Sequence, residues 1–174
     1  MITIRHERPG DAEAREALLD EAFGDARQRK TSQRLRDGRL PAEGLSFVAA
    51  ERGRVIGTAR LWAVACGGVP ALLLGPVAVA ADCRSRGAGS ALVRRAVAEA
   101  RKRGHGAVVL VGDAPYYSRF GFSAGKTAHL TLPGAFERHR LLALELVTGA
   151  LDGARGAIRA AGRTARRPHI AAAA

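Results

Sequence analysis

The chain has 174 residues, 47% hydrophobic and 25% charged, which suits one globular domain with a substantial core and is too short for two ordinary domains. Lysine and arginine outnumber acidic residues by 28 to 16, a formal net charge of +12. That excess fits nucleic acid, an anionic surface, an acidic substrate or a phosphorylated cofactor, and equally an arginine-rich composition with no such role. The two cysteines, Cys66 and Cys83, lack zinc-like spacing and predict neither a metal site nor a disulfide framework.

The N-terminus and the apolar runs bear on localisation. The first residues, MITIRHERPGD, carry charges early and contain no apolar signal region. No apolar run approaches the length of about 18 residues that a spanning helix needs. We therefore expect a cytoplasmic protein that does not enter a membrane.

Hydrophobic periodicity predicts helices and strands that alternate irregularly along the chain. In chain order they are a strand at 2–5, a helix at 11–24, a short exposed basic helix and loop at 27–40, strands at 45–51, 54–64 and 71–80, a helix from near 87 to 104, a strand at 107–112, a short helix at 114–120 and a strand at 140–147. Asp11 is the expected N-cap of the first helix and Gly24 its end. The order predicts one α/β (α+β) domain over residues 1–150. The basic, Ala/Arg/Gly-rich tail at 151–174 is expected to be loosely ordered.

The strand at 71–80, ALLLGPVAVA, is almost wholly apolar, which predicts burial on both faces. Pro76 interrupts it after Gly75. Because proline cannot donate to a β-ladder, this position predicts a bulge or a splay of the sheet.

Two stretches invite a phosphate-binding interpretation. GFSAGKT (121–127) ends like a Walker A loop, but Gly121 and Gly125 are one residue too close together. It also follows a helix instead of a buried strand, so we expect Lys126 to be an ordinary surface lysine.

RSRGAG (84–89) has the better context, between a buried strand and a strong helix, where unpaired N–H groups and the helix dipole favour an anion. A tight strand-to-helix turn without a ligand is the alternative.

Three pieces together resemble the GNAT superfamily of acyl-CoA-dependent N-acetyltransferases. RSRGAG is similar to that family's [QR]-x-x-G-x-[GA] loop, LGPVAV (74–79) to the strand before it, and YYSRFGF (116–122) to its second motif, a Tyr-bearing helix that ends in Gly-Phe. The pieces occur in the family's order, and the resemblance covers about residues 1–147.

The resemblance implies a twisted mixed sheet, flanked by helices, whose two central strands splay apart at a bulge near Gly75. Acetyl-CoA, the implied cosubstrate, would lie in the splay. Backbone groups of Val77 and Val79 would pair with its pantetheine arm. The loop residues that would hold its pyrophosphate are Arg84, Arg86, Gly87, Ala88, Gly89 and Ser90.

The resemblance also implies a catalytic residue. Tyr117 stands where the family's helix tyrosine protonates the leaving thiolate, and the N–H of Val77 would meet the oxyanion. The alternative for Tyr117 is a core aromatic with a hydrogen-bonded hydroxyl, and we expect Tyr116 to be a packing residue.

The sequence does not identify the general base. The carboxylates of Glu51, Asp113, Glu137 and Glu145 remain, with Asp113 better explained as a helix cap and Glu51 as a turn residue. A water-mediated base or an amine that arrives neutral is also open.

An N-acetyltransferase acting on a small-molecule or peptide amine is therefore the expected function. The alternative is a non-catalytic CoA-binding domain of the same fold, serving as a sensor or interaction module. A nucleic-acid binder is not expected, because basic residues are not interleaved with stacking aromatics. The acceptor amine and the formation of a homodimer stay open.

Overall fold

The computed structural model describes residues 1–166, within which eight strands form one mixed sheet flanked by three α-helices. The bounds in chain order are β1 Thr3–His6, α1 Ala12–Phe23, β2 Ser46–Glu51, β3 Arg54–Cys66, β4 Val69–Val79, α2 Ala88–Lys102, β5 Ala107–Val111, α3 Ala114–Tyr117, β6 Leu130–Thr131, β7 Leu141–Glu145 and β8 Gly156–Ala160. The predicted α/β class is confirmed.

The main path of the sheet runs β1-β2-β3-β4-β5-β7, with β8 joining at β3 and β6 pairing with β8. Neighbours are antiparallel except for the β4–β5 and β6–β8 pairs. α2 forms the crossover that a parallel β4–β5 pair requires. It presents one apolar stripe to the sheet, and its residues Leu92, Val93 and Ala96 are each 0% exposed.

The two central strands separate after a short paired stretch. β4 and β5 pair only at Leu72↔Val108 and Leu73↔Val109. Beyond these residues β4 continues to residue 79 against β3, while β5 continues to residue 111 against β7. A gap therefore opens between β4 and β5, which confirms the predicted splay.

A β-bulge in β4 lies where the gap begins. Leu61 pairs with Leu74, but Ala59 pairs with Val77, so Gly75 and Pro76 together oppose the single residue Arg60. Two residues facing one is the definition of a bulge, and it bends the strand that carries it. The bulge predicted from the Gly-Pro pair is confirmed.

The predicted short exposed helix and loop at 27–40 is confirmed only in part. Residues 25–36, which we call the basic segment, form the 3-10 turns Asp25–Arg29 and Thr31–Leu35. Leu35 is 2% exposed and Arg36 is 9% exposed. The Thr31 hydroxyl donates to the Ala135 carbonyl at 2.5 Å, so the segment is docked on the loop before β7.

The expectation of a loosely ordered tail from residue 151 is wrong over its first part. β8 pairs with the last residues of β3, from Val64↔Ala160 to Cys66↔Ile158, at the edge that β2 leaves free. Ile158 is 1% exposed and anchors the strand through burial of its apolar side chain. The end of the predicted tail, residues 167–174, lies outside the described residues.

Within residues 1–166 no helix combines the length and the apolar character needed to cross a membrane.

Candidate active site

The β4 wall of the gap offers backbone hydrogen-bonding groups. The Ala80 N–H donates to the Ile56 carbonyl of β3 at 2.9 Å. This bond shows which residues of β4 form backbone hydrogen bonds with β3. Because hydrogen-bonded and non-hydrogen-bonded pairs alternate along antiparallel strands, Ala78 also bonds to β3. The N–H and C=O groups of Val77 and Val79 therefore point away from β3 and toward the gap.

One end of the gap meets the start of α2, where the backbone turns tightly. Ser85 has φ +60° and Gly87 has φ +84°. The left-handed conformation at Gly87, the residue before the helix, is one that glycine adopts without strain. The N–H groups of residues 85–90 donate no hydrogen bond within the described chain. They and the positive end of the α2 dipole form a site suited to phosphate.

The two arginines of this loop have different surroundings. Arg86 donates to both carboxylate oxygens of Glu51, at 2.7 and 3.0 Å, and its hydrogen bond lowers the pKa of Glu51. Arg86 therefore braces the loop against the end of β2, and its charge is partly neutralised. Arg84 is exposed and has no ion pair among residues 1–166.

The other end of the gap carries Tyr117, at the end of α3. Asp113 begins α3 and accepts a hydrogen bond from the Tyr116 N–H at 3.2 Å, as predicted for this cap. Edge-on packing against Tyr116 and Phe122, with ring centroids 4.9 and 5.9 Å away, fixes the Tyr117 ring.

The hydroxyl of Tyr117 is free to act on a ligand. It makes no hydrogen bond within residues 1–166 and still has accessible surface. Burial raises the pKa of Tyr117 to about 12, an effect that the nearby Arg140 opposes. At neutral pH the phenol is therefore protonated and able to donate.

Two supporting residues were missed by sequence reasoning. A Cβ atom on Gly112 would lie 2.5 Å from Cε2 of Tyr117, so the ring fits because this residue is glycine. The buried indole of Trp62 donates to the carbonyl of Gly75 at 2.6 Å, which fixes the bulge. No short motif signals either contact, because each joins residues that only the folded sheet brings together.

Tyr116 lies on the same short helix, and its hydroxyl lies beside the start of α2. A Cβ atom on Gly89 would lie 3.2 Å from the Tyr116 hydroxyl, so α3 packs against the start of α2 through this ring. Tyr116 is a packing residue, as predicted.

A cavity of about 660 Å³ continues from the gap at the Tyr117 end. Its walls are the bulge of β4, residues 111–113, the basic segment and the loop at 132–140. The residues of β4 that face it include Leu74, Gly75, Pro76 and Val77. The bulge, Tyr117 and this cavity thus meet at one place, which suits an acceptor molecule approaching a bound thioester.

The four carboxylates considered as the general base fall into two groups by their contacts. Glu51 is paired with Arg86, and Glu145 accepts the N–H groups of Gly149 and Leu151 at 3.0 and 2.9 Å, so both have structural roles. Asp113 and Glu137 line the cavity. Of the four candidates, only Asp113 and Glu137 therefore lie near the Tyr117 end of the gap.

The Walker-like stretch has no phosphate-binding geometry. Lys126 pairs with Asp152 at 2.5 Å and with Glu145 at 3.8 Å. Ser123 bridges to Ala143 of β7, and residues 125–129 form turns instead of a helix. Lys126 is a surface ion-pair residue, in agreement with the rejection of a P-loop.

Comparisons with known proteins agree with this geometry. The family model described as "Acetyltransferase (GNAT) family" matches residues 12–122. The N-acetyltransferase YhbS of Escherichia coli K12 is 36% identical over 162 residues, which cover 87% of this chain and 95% of that protein.

Solved structures show the same similarity. The crystal structure of E. coli YhbS in complex with CoA has a TM-score of 0.76 and 31% identity, covering 92% of this chain and 89% of that one. A GNAT acetyltransferase from Brucella melitensis in complex with acetyl-CoA has a TM-score of 0.60 and 31% identity, covering 83% and 88%. The chain belongs to the GNAT family of N-acetyltransferases.

Proposed function

We propose that the protein transfers the acetyl group of acetyl-CoA to a primary amine by direct attack, with Tyr117 protonating the CoA thiolate. The observation that carries this proposal is the gap between β4 and β5. Its wall offers the open backbone groups of Val77 and Val79, a helix N-terminus lies at one end, and Tyr117 lies at the other. Similar structures that hold CoA and acetyl-CoA support the same cosubstrate here.

In this proposal the gap holds the cosubstrate in one orientation. The pantetheine arm pairs with Val77 and Val79 as an added strand would. Its pyrophosphate meets the N–H groups of the α2 start, and the exposed Arg84 adds a charge-assisted contact. Arg86 acts by holding the loop through Glu51. The remaining contacts come from backbone at Gly87, Ala88, Gly89 and Ser90.

The chemical step follows from what the Tyr117 end offers. The amine nitrogen attacks the thioester carbonyl, and the N–H of Val77 stabilises the oxyanion that forms. The C–S bond then breaks, and the Tyr117 hydroxyl gives its proton to the sulfur. The nitrogen loses one proton to water or to the cavity carboxylates, Asp113 and Glu137, and this proton restores the phenol. The products are the N-acetylated amine and CoA thiol, so atoms and charge balance.

Replacing Tyr117 by Phe tests the assigned donor. A phenol with a pKa raised to about 12 is a weaker acid than an ordinary tyrosine. We therefore expect a loss of kcat of about 10²-fold, the lower end of the usual range for a general acid, with acetyl-CoA affinity unchanged. We also expect no alkaline decline of wild-type kcat caused by Tyr117 below about pH 11.

Tyr116→Phe is the matched control, because it removes a phenol hydroxyl from the same short helix. Its kcat should stay within about threefold of wild type. Steady-state kinetics and calorimetric titration with acetyl-CoA separate the two effects. Unchanged kcat in Tyr117→Phe, with normal cosubstrate binding, rules out the donor role.

A further inference from the structure

The cavity of about 660 Å³ beside the bulge and Tyr117, which we call the acceptor cavity, is lined by more cations than carboxylates. The basic segment contributes Arg27, Arg29, Lys30 and Arg36 to its lining, and Arg140 lines the opposite side. The acidic residues of the lining are Asp113 and Glu137. Five cations against two carboxylates give this lining a net positive charge, which faces the place where the acceptor would enter.

Pairing inside the protein removes only part of this charge. Arg27 is held by Glu16 at 2.6 Å and by Asp20 at 2.7 Å, which neutralises it. Arg140 lies 3.8 Å from Glu137, an exposed contact of the kind that contributes little. Lys30 and Arg36 have no carboxylate within ion-pair distance among residues 1–166. We refer to Lys30, Arg36 and Arg140 as the cation trio.

Arg36 is the centre of the trio because it is buried and only partly satisfied. Arg36 is 9% exposed. Its Nη2 and Nε donate to the neutral side-chain oxygen of Gln33, at 2.9 and 3.3 Å. Nη1 makes no hydrogen bond within the described chain and lies 3.5 Å from where a Cβ of Gly75 would stand. The Asp37 carboxylate raises the pKa of Arg36 without reaching ion-pair distance, and burial outweighs this effect. A buried guanidinium that lacks a paired carboxylate is costly unless an anion reaches it. The free edge points at the bulge, next to the proposed reaction site.

The three cations line the same cavity, and the charges of Arg36 and Arg140 act on Lys30. Lys30 lies 4.2 Å from the centre of the Phe23 ring. Burial, followed by repulsion from Arg36 and Arg140, lowers the pKa of Lys30. Burial lowers the pKa of Arg36 to about 10, so it remains charged at neutral pH. The charge of Arg140 also opposes the rise in the pKa of Tyr117, so the trio lies near the proposed proton donor.

We propose that the cation trio binds an anionic oxygen group of the acceptor, so that the preferred substrate is a small amine that carries a carboxylate or a phosphate. This inference rests on the proposed acetyl transfer and names its substrate class. Arg36 offers its free edge to the anion beside the bulge, while Lys30 and Arg140 contact the anion from the basic segment and from the turn just before β7. The amine is then directed at the thioester carbonyl.

The same arrangement addresses the missing base. A positive field favours the neutral form of a nearby amine, and repulsion from Arg36 and Arg140 adds to burial in lowering the pKa of Lys30. An acceptor held by its anionic end therefore presents its nitrogen in a region where the ammonium form is disfavoured. The attack needs a neutral nitrogen, and the cation trio helps to supply it.

Pairs of amines that differ only in the anionic group provide the first test. In wild type, the anionic member of at least one pair should have the higher kcat/KM. The pairs are glycine and glycinamide, β-alanine and β-alaninamide, and phosphoethanolamine and ethanolamine. Arg36→Met keeps an apolar stem in the buried space and should lower kcat/KM for the preferred anionic amine by about 10- to 100-fold, since a charge-assisted hydrogen bond is lost. The neutral partner should change by less than about threefold, and KM for acetyl-CoA should not change.

Arg159→Met is the matched control, because Arg159 is an exposed arginine on β8 outside the cavity lining. It should leave both members of each pair unchanged. Equal kcat/KM for anionic and neutral amines in wild type, or equal losses for both in Arg36→Met, overturns the inference while leaving acetyl transfer standing.

A binding test works without turnover. With the protein saturated by CoA, acetate should raise the melting temperature of wild type and of Arg159→Met, and the neutral isostere acetamide should not. The acetate effect should disappear in Arg36→Met. Absence of an acetate effect in wild type contradicts the cation trio as an anion site. Failure of every amine to release CoA thiol contradicts the proposed function instead.

Discussion

Trp62 controls the bulge, and replacing it by Phe should affect both stability and cosubstrate binding. The Trp62 indole is 8% exposed and donates to the Gly75 carbonyl at 2.6 Å. Phe leaves this buried carbonyl without a donor, at a cost of about 1–3 kcal/mol. The lost part of the ring adds about 1 kcal/mol through the space it leaves. We expect the free energy of unfolding to fall by about 2–4 kcal/mol.

Binding of acetyl-CoA should weaken as well, because the open groups of Val77 lie directly after the bulge. If about 1 kcal/mol is needed to restore the bulge on binding, Kd rises about fivefold. Urea unfolding measures the first effect and calorimetric titration the second.

Phe47→Leu is the matched control for Trp62→Phe. Phe47 is 0% exposed on β2, and its truncation removes buried aromatic volume without touching the bulge. It should reduce stability by about 1–2 kcal/mol and leave Kd for acetyl-CoA unchanged. A Trp62→Phe protein with wild-type Kd, or with no more loss of stability than Phe47→Leu, would refute the role of the indole hydrogen bond.

Two further predictions concern the scaffold. Arg5 donates two hydrogen bonds to Asp11, at 2.7 and 2.9 Å, and this contact is the main cause that lowers the Asp11 pKa to about 2. Because the folded pKa lies below the unfolded value, the stabilisation is present above about pH 4 and is lost as the pH falls through about 2. Asp11→Asn should therefore cost about 1–2 kcal/mol at pH 7 in urea unfolding, and a penalty as large at pH 2 as at pH 7 contradicts this. A Cβ on Gly57 would lie 2.9 Å from Cδ1 of Leu92, so Gly57→Ala should destabilise by about 1–3 kcal/mol. Gly10→Ala, with nothing within 4 Å, should stay within about 0.5 kcal/mol, and equal unfolding midpoints for the two variants would contradict the crowding at Gly57.

Local patterns predicted the parts of the fold that depend on local chemistry. The apolar periodicity of α2 and the nearly unbroken apolar run of β4 were readable because burial dictates those residue types. Pro76 located the bulge because proline cannot serve as a ladder donor. Asp113 located the start of α3 through its cap.

Features that depend on distant contacts could not be predicted in this way. β8 lies in an Ala/Arg/Gly-rich stretch, and Ile158 is its one fully buried apolar side chain, so its pairing with β3 leaves little trace in the sequence. Arg36 sits in a run of polar and basic residues that resembles a solvated surface. Its burial follows from the docking of the basic segment on the loop before β7, a contact between residues about a hundred positions apart. The acceptor cavity was invisible for the same reason.

The most direct test of the central claim is to incubate the protein with acetyl-CoA and a panel of primary amines, and to quantify both free CoA thiol and acetylated amine. The panel includes carboxylate- and phosphate-bearing amines, neutral amines and peptides with free N-termini. The account predicts thiol release that depends on the amine, equals the acetylated product in amount and falls about 10²-fold in Tyr117→Phe. Tight binding of CoA with no amine-dependent release across the panel would contradict it, and would favour a domain that binds CoA without catalysis.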